Sequence, residues 1–317
     1  MRSRALLAAI ALGALAIAGC GKSAKDERIV LGFSQIGAES EWRTANTESI
    51  KSAAATMNID LRFADAQQKQ ENQIKALRSF IAQKVDVIAF SPVVETGWDT
   101  VLQEAKAAKI PVILTDRSVT ADPSLYAGFI GSDFVEEGRK AGRWVAERFK
   151  DATEDVNIVE LQGTVGSAPA NDRKKGFEEV IANNPRLKIV RSQSGDFTRS
   201  KGKEVMEAFL KSAGRIDVLY AHNDDMAIGA IQAIEEAGLK PGKDVFIVSI
   251  DAVKGAFEAM IAGKLNATIE CNPLLGPQLM TSATEVVAGR TIPKRIVVDE
   301  QVFTMETAKQ HIQSRKY

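Results

Sequence analysis

The sequence predicts an α/β protein built from two doubly wound parallel-sheet lobes, and three observations carry that prediction. From residue 28 onward, short β-rich runs alternate with longer segments of helical period, the pattern of βαβ units on a parallel sheet. The alternation restarts after Asp133 and completes a second series of the same kind. The 317 residues, 45% hydrophobic and 26% charged, suffice for one large or two ordinary cores of a globular protein.

In the first series "RIVLGFSQ" reads as a strand, and "WRTANTESIKSAAATMN" as a helix with Ile50, Ala53, Ala54 and Met57 on one face. "IDLRFADA" is the next strand, and "QENQIKALRSFIAQK" a helix with Ile74, Leu77 and Ile81 inward. "VDVIAFSP", "WDTVLQEAKAAK", "PVILTDRS" and "YAGFIGSD" continue the alternation. The second series opens with "FVEEGRKAGRWVAERFK", whose Ala141, Trp144, Val145 and Phe149 share a face. It runs on through "VNIVELQG", "DRKKGFEEVIANN", "LKIVRSQS", "SKGKEVMEAFLKSA", "DVLYAHND", "DMAIGAIQAIEEAG" and "DVFIVSID". Gly238 stands where a helix ends in left-handed backbone. "NATIEC", a helix from about Pro277 to Gly289 and "KRIVVDEQVFT" complete the chain.

Residues 1–19 differ from the rest: a basic "MRSR" precedes the apolar "ALLAAIALGALAIAG", too short and small-residued for a membrane span and laid out as a secretory signal peptide. The run ends in Ile-Ala-Gly-Cys, which resembles the lipobox of bacterial lipoproteins, where cleavage precedes the cysteine and lipid is attached to it. Cys20 is therefore the expected lipidation site and residues 20–27 a tether; the alternative is a plain signal peptide cut near Cys20. Both readings export the chain to the periplasm or cell envelope. Loss of Arg2 and Arg4 with the leader leaves 39 basic against 41 acidic residues, a net charge of −2, which offers no electrostatic reason to bind nucleic acid. With Cys20 lipidated, Cys271 is a lone thiol and the fold rests on its cores.

Strand after strand ends in polar groups: Gln35, Ser91, Asp116 with Arg117, Gln162, His222 with Asn223 and Asp224, and Asp251. One such pair would be a surface salt bridge, but the repetition in both halves points to a cleft, because open parallel sheets bind ligands beyond the carboxyl ends of their strands. Asp accepts hydrogen bonds, Arg donates in a planar fork and Asn does both, so the set suits a ligand rich in hydroxyls. Trp42 and Phe197 sit at loop positions suited to covering the apolar face of a sugar ring, with core packing as their alternative role. Arg43 and Arg173 are read at helix starts, where the dipole opposes a cation and a cleft role supplies a reason for it; a surface position is the alternative for Arg173.

Catalysis has little support. The two histidines include His311 in a charged tail, and there is no nucleophile elbow, phosphate-binding glycine loop or Cys/His metal spacing, so neither a cofactor nor a metal is expected.

Taken in order, "TDR" at 115–117, "DRKKGF", "GDFTR", "NDDMAIGA" and "SIDA" resemble the substrate-binding proteins of ABC sugar importers, of the ribose-binding type, over nearly all of residues 28–310. The resemblance implies the type I periplasmic binding protein fold and assigns sugar contacts to Asp116, Arg117, Arg173, Phe197, Asn223 and Asp251. "GFSQIGAESEWRTA" and "RSQSGDFTRSKGKEVMEAF" are similar to the galactofuranose-binding branch, with Trp42 and Arg43 in place of the ribose binders' two phenylalanines. Where ribose binders keep a hinge Gln, Cys271 or a neighbour stands here.

These readings imply a monomeric, non-enzymatic solute-binding protein that captures a monosaccharide and presents it to an ABC permease with its ATPase. The expected lobes are 28–130 with 272–301 and 131–271 with 302–317, hinged near Gly131, Cys271 and Val302. Two rivals share the fold: a repressor of the lactose type, which needs a helix-turn-helix segment where this chain has an apolar leader, and a sensor or chemoreceptor ligand carrier, which differs only in partner.

Overall fold

A computed structural model describes residues 28–317; the leader, Cys20 and the tether lie outside the described residues. The first five strands are β1 (Val30–Gln35), β2 (Asp60–Asp65), β3 (Val87–Phe90), β4 (Val112–Thr115) and β5 (Gly128–Gly131). The next five are β6 (Val156–Gln162), β7 (Leu187–Ser194), β8 (Val218–Ala221), β9 (Phe246–Asp251) and β10 (Ala267–Glu270), followed by the short β11 (Arg295–Val297) and β12 (Val302–Thr304). Two six-stranded sheets result, ordered β11-β5-β4-β3-β1-β2 and β12-β10-β9-β8-β6-β7, and every pairing is parallel except β12 on β10.

The helices between them are α1 (Glu41–Thr56), α2 (Gln70–Ala82), α3 (Asp99–Ala107), α4 (Phe134–Arg148) and α5 (Ala168–Ile181), then α6 (Arg199–Ser212), α7 (Asp224–Glu236), α8 (Lys254–Ile261), α9 (Gly276–Val287) and α10 (Ala308–His311). They cover both faces of each sheet, which is why the central strands are apolar at every position rather than alternately. On β3, Val87 and Ala89 enter one buried cluster while Ile88 and Phe90 enter another; on β8, Val218 and Tyr220 divide from Leu219 and Ala221 in the same way. Each lobe thus has two half-cores separated by its sheet.

The chain passes from one sheet to the other three times: after β5, after β10, and between β11 and β12. "KRIVVDEQVFT" therefore forms two strands in different sheets rather than one. Four details differ from the sequence reading. On α2 the buried residues are Gln73, Leu77 and Phe80, with Ile74 and Ile81 only half-buried. Met57 lies just past the end of α1 and is exposed, because the helix stops at Thr56. Trp144 and Phe149 are only half-buried, at the edge of the cluster that buries Ala141 and Val145, and Phe149 lies just past the end of α4. Helix α5 starts at Ala168, four residues early, since Pro169 in its first turn suits a helix start. Among the described residues no helix is long and apolar enough to cross a membrane.

Candidate functional site

The carboxyl ends of the two sheets face each other across a small cavity, and all eight residues expected at a cleft line it: Trp42, Arg43, Asp116, Arg117, Arg173, Phe197, Asn223 and Asp251. Glu39, Ser40, Pro169 and Cys271 complete the lining. The other strand-end groups stop short of it. Gln35 donates to Asn46 and Thr47, Ser91 bonds Thr115, and His222 lies fully buried against Glu160 at 3.0 Å.

The wall from the first lobe is a charged mesh. Ser40 caps α1 by accepting from the Arg43 amide at 3.1 Å, which sets Trp42 and Arg43 in the first turn beside the end of β4. The Arg43 guanidinium reaches Asp116 at 2.7 Å, Glu39 at 3.0 Å and the Gln35 side-chain oxygen at 3.3 Å. Burial opposes its charge, but Asp116 and Glu39 outweigh burial and hold its pKa above the ordinary arginine value. Asp116 has φ of 61°, a left-handed conformation that turns its carboxylate away from the strand path. Arg117 donates to the Val93 carbonyl at 3.1 Å and stands 3.7 Å from Asp116. Burial and the like charge of Arg43 push its pKa down to about 10, so it remains charged at neutral pH. Two buried polar atoms of this wall, Arg117 Nε and Glu39 Oε2, have no partner among the described residues. Buried orphans are rare because each forfeits a hydrogen bond, and two in one cavity mark where a ligand's donors and acceptors fit.

The wall from the second lobe depends on close helix packing. A Cβ on Gly138 would sit 2.2 Å from the Arg173 carbonyl and one on Gly176 would sit 1.9 Å from the Val135 carbonyl, so only glycines let α4 and α5 approach this far. The approach puts Glu137 of α4 at 2.7 Å from Arg173 Nε, while Arg173 Nη1 donates to the His222 carbonyl at 2.5 Å. Arg173 is in the second turn of α5, clear of the positive helix end. Burial again disfavours its charge, and Glu137 leads the opposing groups that raise its pKa. Asn223 caps α7 by accepting from Met226 at 3.0 Å and donates to the Phe197 carbonyl at 3.1 Å, fixing that ring beside the cavity. Asp251 has φ of 132° and stands 3.6 Å from Arg173; burial drives its pKa well above the carboxylate range against the pull of Arg173.

Trp42 and Phe197 each combine the two roles weighed for them. Trp42 lines the cavity, packs into the second lobe's buried cluster, and donates its indole N–H to the Cys271 carbonyl at 2.6 Å. Phe197 belongs to the other second-lobe cluster and receives the Arg117 guanidinium over its ring at 5.1 Å. Sequence reasoning missed Glu39, whose signal is its place four residues before Arg43, and Glu137, whose role depends on a helix contact no local pattern encodes.

The lobes also meet at the rim. Asp225 accepts from the Glu41 amide at 2.8 Å and pairs with Arg199 at 2.8 Å; Glu95 accepts from Asn171 at 2.5 Å, and its amide donates to the Gly166 carbonyl at 2.9 Å. The cavity is thus closed over, lined by arginines and carboxylates that partly neutralise one another. Such a lining matches a small uncharged polyol.

A family model described as a periplasmic binding protein domain matches residues 31–291. The chain is 50% identical over 293 residues to the galactofuranose-binding protein YtfQ of Escherichia coli (strain K12), spanning 91% of this chain and 92% of that one. A solved structure from Mycobacterium smegmatis in complex with β-D-fucofuranose superposes with a TM-score of 0.90 at 60% identity, covering 91% of this chain and 95% of its own. The periplasmic binding component of the arabinose ABC transporter from Shewanella sp. ANA-3, bound to α- and β-L-arabinofuranose, gives 0.87 at 53% identity, covering 90% and 95%. With its two matched sheets and the cavity shut between them, the chain belongs to the periplasmic binding protein family, whose members are not enzymes.

Proposed function

We propose that the protein captures one sugar in its furanose form, with galactofuranose the leading candidate, and delivers it to the permease of an ABC importer. The observation that carries this reading is the pair of buried, unpartnered atoms, Arg117 Nε and Glu39 Oε2, in a small cavity walled by charged and aromatic side chains of both lobes. A sugar hydroxyl both donates and accepts and can answer the two orphans in turn. Arg43, where a second stacking ring would otherwise lie, adds polarity on that side and favours an oxygen-rich five-membered ring. The furanose ligands of the solved relatives and the galactofuranose-binding relative support the same choice.

The lobes in this reading are 28–130 with 272–301 and 131–271 with 302–317, and they swing about the crossings near Gly131, Cys271 and Val302. Ligand contacts from both walls favour the closed form, the form a permease would recognise. Processing before Cys20 and lipid on that residue would tether a monomer to the envelope; fatty-acid labelling lost in a Cys20→Ala variant checks this.

The primary test is calorimetric titration of the leaderless protein with galactose, ribose, arabinose and a galactofuranose source, with Arg117→Ala as control. One-to-one binding with selection of the furanose form, lost in the folded variant, is expected. Binding of ribose in its pyranose form overturns the furanose reading, and unimpaired binding by Arg117→Ala overturns the site.

A further inference from the structure

Behind the second wall, outside the cavity, two buried glutamates meet at the hinge. Glu137 is 1% exposed and Glu300 7%, and their carboxylate oxygens and the Cys271 sulfur all lie within 4.8 Å of one another. Each crossing sends a group to Glu300. Ser132, on the first, donates its hydroxyl to Glu300 Oε1 at 2.5 Å; the Asn272 amide, on the second, donates to the same oxygen at 3.1 Å; Glu300 itself lies on the third. Ser132 also touches Cys271 at 3.4 Å, and Lys140 holds the Glu300 carbonyl at 2.6 Å. Glu137 gives one oxygen to Arg173 at 2.7 Å, while its other, Oε1, is buried without a partner. Two ionised carboxylates side by side in a buried site repel, and the orphaned acceptor needs a donor.

We infer that Glu137 and Glu300 share a single proton, and that this carboxyl pair is the knot tying the three hinge crossings to Arg173 in the cavity. The hydroxyl of protonated Glu300 donates to Glu137 Oε1, and the other Glu137 oxygen keeps its bond from Arg173 Nε. The surroundings favour one retained proton. Burial and Glu137 push the Glu300 pKa up to about 10, with the bonds from Ser132 and Asn272 pulling the other way. The titratable and charged groups around the pair are Arg173, Asp251 and the Cys271 thiol inward, and Lys140, Asp133, Glu136 and Asp299 toward solvent. Both glutamates are positioning residues, since neither lines the cavity.

In the unfolded chain Glu300 loses its proton in the ordinary carboxylate range, whereas in the folded chain it keeps it until about pH 10. The folded state then binds more protons in that window, so stability is greatest at its acid end and falls as pH rises. Glu300→Gln supplies the hydrogen permanently, with its amide N–H toward Glu137 and its oxygen toward Ser132 and Asn272. The experiment is thermal unfolding of the ligand-free full protein from about pH 5 to pH 9, for wild type, Glu300→Gln and Glu137→Gln, with metal analysis of each. A steeper fall in wild type than in either variant is expected. Equal slopes in wild type and both variants overturn the shared proton, as does a stoichiometric divalent cation that Glu300→Gln releases.

The link to ligand rests on the sugar-binding reading and is measured separately: galactofuranose affinity should weaken as pH rises through about 10, where the folded pair gives up its proton, more in wild type than in Glu300→Gln, and Glu137→Gln should bind less tightly at neutral pH than Glu300→Gln. An affinity in wild type that does not change across that pH overturns the coupling to Arg173. If no sugar binds any of the three proteins while the unfolding slopes differ, the proton stands and the reading of the cavity falls.

Discussion

Asp116 and Asp251 occupy equivalent places in the two lobes, one just past β4 and the other closing β9, the strand in the same position of the matching sheet order. Both are 4% exposed, and both have positive φ, at 61° and 132°, a strain of order 1–3 kcal/mol each that the surrounding fold must sustain. Their electrostatic settings differ. Asp116 is gripped by Arg43 at 2.7 Å with Arg117 close by, whereas Asp251 has only Arg173 at 3.6 Å and accepts no side-chain hydrogen bond among the described residues. The first wall is therefore bonded within itself as a prebuilt mesh, and the second leaves Asp251 without a side-chain donor.

The largest effect that could break this contrast comes from Asp116→Ala. It would leave Arg43 with Glu39 as its only carboxylate partner and Arg117 without its ion-pair partner, and removing one member of a buried ion pair costs about 3–5 kcal/mol. Thermal unfolding should show a marked loss of stability, and titration no sugar binding. Stability equal to wild type would mean the first wall is not prebuilt.

Asp251→Asn should behave in the opposite sense. Asparagine tolerates positive φ and keeps the shape, while removing a carboxylate that burial already resists. Stability should hold or rise. Sugar affinity should fall by about 1–3 kcal/mol, the cost of leaving a buried sugar hydroxyl without its acceptor. A variant that loses stability as Asp116→Ala does would erase the distinction between the walls.

The part of this arrangement legible in sequence was the part that repeats. Apolar runs ending in charge, such as "VILTDR" and "IVSID", place Asp116, Arg117 and Asp251 at strand ends, and the sheet topology carries those ends to one cavity. Glu137 was not legible, because its role depends on Gly138 and Gly176 drawing α4 against α5, a contact between helices separated by β6. Glu300 was hidden for a related reason: "VVDEQVF" looks like one polar interruption of a strand, and only the crossing between sheets buries it. His222 misled in the other direction. It follows β8 as a cleft residue should, yet it turns inward to Glu160, where bonds from His222, Lys174 and Ser192 overcome burial and hold the carboxyl at about 2. Local pattern gives the end of a strand, and packing decides which face the side chain takes.

The smallest expected effect tests closure at the rim. Asn171, from the second lobe, donates to Glu95 of the first at 2.5 Å in an exposed setting, beside the Glu95 amide to Gly166 carbonyl bond at 2.9 Å. Asn171→Ala removes the side-chain bond and keeps the backbone one. Charge-assisted but solvated, that bond should contribute about 0.5–1.5 kcal/mol, and only to the closed form, because opening the cleft breaks it. The variant should unfold as wild type does and bind sugar up to about tenfold more weakly, with the loss in a faster off-rate. An unchanged off-rate would show that the rim bond forms without holding the lobes together, and closure would then rest on the ligand bridging Asp251 and the first wall.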